Sequence, residues 1–256
     1  MAVHYGGKGP GHMSRSMGVF NPASLFAGGV KGVWYDPSDL ATVWQDSART
    51  TPGVVDQPVG CIDDKSGNGF NATSSLTARP TLRLAGGRYY LEFDGSDDIL
   101  GTASINLSAV DAVTMCYGIY KASDAAAQVV AEFGFGNGSS RSLIPAGGTG
   151  YQHTATGTVG STATATGFAA PNLSVITTLA DISSDINIMR INGTQAASVA
   201  TDLGTGNMGT NQFTFGARSG SGFPMTGRFY GVIMLGALLA SNAQMETWMN
   251  GKTGAY

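Results

Sequence analysis

Apolar and polar side chains alternate with a period of two along much of this chain. Leu91 and Phe93 alternate with Glu92 and Asp94 in a run from Arg88 to Phe93 that Gly95 stops. Val113, Met115, Tyr117 and Ile119 share one face of the run Ala112 to Tyr120, and Gln128 to Phe135 is a second apolar run, so both read as core strands of a sandwich. Leu173 to Ile182 alternates again. Asp185 to Ile191 and Thr194 to Ala200 flank Asn192-Gly193, a pair that tolerates the positive φ of a two-residue turn and predicts a hairpin. Gln212 to Ala217 and Gly227 to Leu235 supply two more strands. Ala146 to Ala170, nearly all Gly, Ala, Thr and Ser around Tyr151, His153 and Phe168, predicts thin strands and loops, with His153 in a loop.

Helical spacing occurs twice. Asp36 as N-cap and Pro37 at the first helical position precede Leu40, Val43 and Trp44 at i, i+3 and i+4, which predicts a short helix. Near the C-terminus Ser241 and Gln244 have capping-box spacing, Met245, Trp248 and Met249 form an apolar stripe, and Gly251 supplies a stop. Both helices are expected on the outside of the sandwich.

With 256 residues the chain can bury the core of one sandwich domain. Its 38 glycines are twice the ~7% average usage, which suits short strands and tight turns. Residues 1–31 show no periodicity that folds alone but carry Met17, Val19, Phe20, Leu25 and Phe26, so they are expected to form an attachment arm or tail, with the domain spanning 32–256. The net charge is −3 and the 14 basic residues are scattered, which argues against a nucleic-acid partner. No apolar run reaches the ~18 residues of a membrane span, and no apolar leader core precedes Phe20, so synthesis in a cytoplasm is expected. On that footing Cys61 and Cys116 are expected as free thiols, and the Asn-x-Ser/Thr sites at Asn71, Asn106, Asn137, Asn172 and Asn192 as turn chemistry.

Two acidic, glycine-punctuated turns bracket one stretch: Asp63-Asp64-Lys65-Ser66-Gly67-Asn68-Gly69 and Phe93-Asp94-Gly95-Ser96-Asp97-Asp98. Their pairing resembles the laminin-G/concanavalin A-like lectin family. Trp34-Tyr35-Asp36-Pro37-Ser38-Asp39-Leu40 ahead of them resembles the version carried by structural proteins of tailed bacteriophages. The resemblance implies an all-β, concanavalin A-like jelly-roll sandwich of two antiparallel sheets. It also implies a virion structural protein, attached through its arm to other virion proteins, homo-oligomeric, and facing outward to host-surface polysaccharide. A capsid decoration or cement protein without a glycan ligand is the alternative; no coiled-coil heptads or long repetitive shaft mark a fibre.

The candidate chemistry is sparse. Glu92-Phe93-Asp94-Gly95-Ser96-Asp97 approximates the E-x-D-x-x-E strand of laminarinase-type hydrolases, which makes a glycoside hydrolase the minor alternative. Asp97 is one methylene short, however, and the chain has only three glutamates, Glu92, Glu132 and Glu246, so no enzyme is expected. No cofactor is implied beyond calcium, for which Asp63, Asp64, Asn68, Asp94, Asp97 and Asp98 are the candidate ligands; the twelfth position of the EF-hand-like loop from Asp64 is Ser75, which removes the bidentate acid. Tyr89, Tyr90, Tyr151 and Phe223 are the candidate sugar-stacking rings, although one of Tyr89 and Tyr90 must face inward.

Overall fold

Alternation along the strands builds two stacked sheets, and the computed structural model describes them over residues 19–220 and 222–256. In chain order the strands are β1 (Gly32–Tyr35), β2 (Val43–Trp44), β3 (Cys61–Ile62), β4 (Ala72–Thr73), β5 (Thr81–Ala85), β6 (Arg88–Asp94), β7 (Leu100–Gly101), β8 (Ile105–Asn106), β9 (Ala112–Lys121) and β10 (Gln128–Phe133). There follow β11 (Ser139–Ile144), β12 (Gly150–Thr156), β13 (Gly160–Thr166), β14 (Asn172–Asp181), β15 (Ile186–Ile191), β16 (Thr194–Val199), β17 (Thr210–Asn211), β18 (Phe213–Phe215), β19 (Thr226–Leu235) and the helix α1 (Ala243–Thr253). The first sheet has the order β16-β15-β14-β9-β19-β6-β5, with β1 also on β19; the second has β13-β12-β11-β10-β18-β7-β4-β3-β2. Both are antiparallel, and the fold is the expected all-β jelly-roll sandwich with a C-terminal helix.

The first sheet is buried on both faces where α1 covers it. Val33, Tyr35, Met115, Tyr117, Ile119, Val232 and Met234 point inward to Phe133, Phe213 and Phe215 of the second sheet. Their alternates Trp34, Cys116, Ile233 and Leu235 point outward beneath Met245 and Met249 of α1 and Phe26, which sits in a 3-10 helix at Pro22–Gly29. This explains why β9 and β19 read as nearly continuous apolar runs. Of the expected arm, residues 1–18 lie outside the described residues, whereas Phe26 packs on the sandwich itself. Both cysteines are free and buried.

The Asn192-Gly193 hairpin forms, with φ of 52° and 78° at its two turn residues. The expected helix after Asp36 does not. The chain makes one 3-10 turn at Leu40–Thr42 and then enters β2: Asp36 does accept from the Ser38 amide at 3.1 Å, as an N-cap would, but the Thr42 carbonyl accepts from the Asp63 amide and Val43 and Trp44 pair with β3, which draws them out of a helix and into the second sheet. The capping box is also absent: α1 starts after Asn242, which makes no side-chain cap, and runs past Gly251 to stop at Gly254, φ 67°.

Candidate functional site

The half of the first sheet that α1 leaves uncovered forms an open groove. Cross-strand register sets its floor: Thr81 and Arg228 both pair with Glu92, and Arg228 also pairs with Tyr120, so these four lie in one row across β5, β6, β19 and β9. Their neighbours Leu91, Phe93 and Phe229 point the other way, into the core. The groove encloses about 480 Å³, with Arg79, Arg83, Asp94 and Asp98 adding further charged groups to its lining.

Each charged group in the groove is held by its neighbours. The Arg228 guanidinium lies 4.8 Å from the Tyr90 ring centre and 4.7 Å from that of Tyr120. Arg83 Nε meets Glu92 Oε2 at 2.7 Å, and its Nη1 meets Asp56 Oδ1 at 2.7 Å. Arg79 donates to the Leu76 and Gln45 carbonyls at 3.1 and 2.7 Å. Asp98 closes one end: its Oδ2 accepts from the Asp94 amide at 2.9 Å, while burial, then the Asp94, Asp97 and Glu92 carboxylates, push its pKa up to about 6.

The candidate residues separate. Tyr90, Asp94 and Asp98 meet at this groove, with Tyr90 as a buried support beneath Arg228 rather than a free platform. Tyr89 faces inward and packs against the core. Tyr151 is only 1% exposed, with Lys121 over its ring at 4.6 Å and its hydroxyl donating to Asn172 Oδ1 at 3.0 Å, so it is a core residue and not a stacking ring. Phe223 is exposed, but beside β10 of the other sheet.

The calcium candidates split the same way. Asp63 accepts from Trp44 Nε1 at 2.9 Å and pairs with Arg49 at 3.2 Å. Asp64 accepts from the amides of Trp34, Ser66 and Phe70 at 3.0, 2.9 and 3.0 Å, and Asn68 donates to the Val30 and Gly32 carbonyls at 3.1 and 3.0 Å. Asp64 and Asn68 pin the first turn to β1 and Asp63 ties it to β2, so all three are spent on that work. Asp94, Asp97 and Asp98 do cluster, with one carboxylate oxygen from each within 4.8 Å of the others, and are the residues that would hold a hard cation at the rim.

His153 is not in a loop. It lies on β12, where it and its partners Ser140 and Asn187 are all 0% exposed. Its Nε2 is 2.9 Å from Ser140 Oγ and its Nδ1 is 2.8 Å from Asn187 Oδ1. Asn187 Nδ2 donates to the His153 and Ser161 carbonyls, so Oδ1 is the acceptor, the imidazole proton sits on Nδ1, and Nε2 accepts from the serine. The constellation has the connectivity of a nucleophilic triad, but the sealed interior admits no substrate to its hydroxyl.

Sequence reasoning missed Arg83, Arg228 and Tyr120. The signal for Arg228 was present, since it is the one charge in the otherwise apolar run Gly227 to Leu235 and alternates with Phe229. A charge at that position must face away from the core, next to whatever flanks it.

No family model matches the sequence, and no curated protein matches it. Solved structures do. The binding domain of botulinum neurotoxin serotype D matches with a TM-score of 0.57 and 11% identity over 75% of this chain and 49% of that one. The serotype D ligand-binding domain in complex with N-acetylneuraminic acid matches with a TM-score of 0.57 and 12% identity over 85% and 52%. The binding domain of botulinum neurotoxin DC in complex with SialylT matches with a TM-score of 0.57 and 11% identity over 85% and 53%. The chain thus spans about half the length of the structures it matches. At such identities the likeness is one of fold: this chain shares the antiparallel β-sandwich of those binding domains.

Proposed function

We propose that this chain is a non-catalytic glycan-binding domain displayed on a virion, with the groove on the first sheet as its sugar site. The groove itself carries the reading: guanidinium and carboxylate groups, fixed by one another and by two tyrosines, line an open trough on a rigid sheet. Vicinal hydroxyls of a sugar are both donors and acceptors, and paired Arg and Glu side chains complement them without reorganising. The structurally similar toxin domains support a receptor-binding role, since two of them are complexes with N-acetylneuraminic acid and SialylT. The virion setting rests on the Trp34 to Leu40 motif. Residues 1–18 are the docking segment under this reading, because Phe26 already belongs to the domain's own packing.

Arg228→Ala is the direct test. Binding to host-surface polysaccharide on an array is expected to fall at least about tenfold, the loss of one to two charge-assisted contacts, with the melting temperature kept. Unchanged binding would move the sugar site elsewhere. Removing residues 1–18 is expected to abolish attachment to particles that lack the protein and to spare cell binding. Attachment to particles without any affinity for cells would leave the cement role instead. Reducing-sugar release from β-glucans is expected to stay at background: Glu92 is tied to Arg83, and Asp97, the third acid of the hydrolase-like pattern, is not among the groove's lining residues. Turnover abolished by Glu92→Gln would replace this reading with the hydrolase one.

A further inference from the structure

A second cleft, on the outer face of the other sheet, has chemistry that the groove does not share. Glu132 of β10 pairs in register with Arg141 of β11, which places both on that face. Glu132 is buried, and its Oε2 lies 3.2 Å from Arg218 Nε and 4.0 Å from Arg141 Nη1. One carboxylate therefore serves two guanidinium groups. Arg141 Nε is buried and has no hydrogen-bond partner among the described residues, an unspent donor beside a surplus positive charge.

Two phenylalanines frame these arginines. The Arg218 guanidinium lies 4.5 Å from the Phe135 ring centre and 4.7 Å from that of Phe223, and Arg141 lies 5.7 Å from Phe135. Phe135 is 69% and Phe223 46% exposed, so each ring touches Arg218 and still offers surface to solvent. Phe223 has φ 56°, a conformation that a bulky side chain adopts only at a cost and that is found mainly where function requires it. Phe135 stands between Gly134 and Gly136, with φ of 71° and 93°, which lift it off the sheet. The cleft between the rings holds about 310 Å³, walled in part by Leu143. Packing alone gives no reason to hold two large rings in solvent around a half-neutralised arginine pair.

We infer that this cleft is a second binding site, independent of the groove, for a carboxylate-bearing sugar of the uronic or nonulosonic acid class. The surplus charge and the unspent Arg141 donor select the carboxylate. The two rings select the C–H face of a pyranose over a compact inorganic anion, which would leave them unused. Burial and the neighbouring Arg218 charge, which depress the Arg141 pKa, are both offset by an anion seated between the two arginines.

Saturation-transfer and titration NMR on the full chain test this. The probes are glucuronic acid and the methyl glycoside of N-acetylneuraminic acid, the methyl esters of both acids, and N-acetylphenylalanine as a carboxylate without a sugar. Each acid is expected to bind about tenfold more tightly than its ester, the worth of one charge-assisted contact. Phe135→Ala and Phe223→Gly are each expected to abolish sugar binding, acid and ester alike, because the rings hold the pyranose face that both share. Both changes are at exposed positions, and glycine relieves the left-handed strain, so the melting temperature of Phe223→Gly should hold or rise while binding is lost. Arg228→Ala in the groove should leave this binding intact. Esters binding as well as acids, N-acetylphenylalanine binding more tightly than either sugar, or loss with Arg228→Ala instead of Phe135→Ala would each overturn the assignment.

Discussion

Phe215→Ala is expected to lower the unfolding free energy by about 4 kcal/mol, the range for truncating a buried aromatic ring, measured by urea denaturation. Phe215 is 1% exposed and lies on β18 of the second sheet, yet its ring meets Phe229 of the first sheet at 4.8 Å, Tyr35 at 5.6 Å and Phe93 at 6.2 Å. It is the point at which strands from both sheets converge, so the cavity left by alanine is walled by several rings and cannot collapse from one side. Phe215→Leu keeps most of the volume and should cost about 1.5 kcal/mol. Phe135→Ala, at a solvent-facing ring, should fall within about 0.5 kcal/mol of zero. Similar losses for Phe215→Ala and Phe135→Ala would contradict this account of the core.

The second large effect is on acid stability. Burial holds the His153 imidazole neutral and drives its pKa down to about 4, against 6.5 for an exposed histidine. The unfolded chain therefore binds a proton between pH 6.5 and 4 that the folded chain refuses, and stability falls as pH drops through that window. A shift of about 2.5 units corresponds to about 3 kcal/mol between pH 7 and pH 4. Asp98 acts with the opposite sign, because its folded pKa lies above the ordinary 3.8 and its protonation on acidification relieves a buried charge. The histidine contribution is thus read as the difference between the wild type and His153→Gln, in which the Asp98 contribution cancels. The wild type should lose about 3 kcal/mol more than the variant from pH 7 to pH 4; parallel curves would mean that His153 is charged in the fold or reached by water.

What could be read in advance was what is local. Period-two alternation placed β6, β9, β14 and β19, and Asn192-Gly193 placed a hairpin, because strand faces and two-residue turns depend on neighbours in sequence. The segment after Asp36 was misread because the strand that claims Val43 and Trp44, β3, lies beyond a loop and leaves no mark in the local spacing. The groove was half legible. Glu92 and Asp94 drew attention as acids on one strand face, whereas Arg83 and Arg228 acquire meaning only once β5 and β19 flank β6. Phe135, a lone ring among glycines, gave no periodic signal, and Tyr151 looked free because the small residues around it conceal a strand that turns it inward.

β19 hydrogen-bonds to β1, β6 and β9 at once, and Gly32 pairs with Leu235. The central ladder of the first sheet therefore stays open until Thr226–Leu235 have left the ribosome. Closing loops of that span precedes the contacts that reward it, so refolding is slow compared with helical proteins of the same length. During synthesis the apolar faces of β9 and β14 wait uncovered, and a nascent chain halted before Thr226 presents the edge of β9 to other chains. Chaperones that shield strand edges are therefore expected to act on this protein in the interval before β19 emerges.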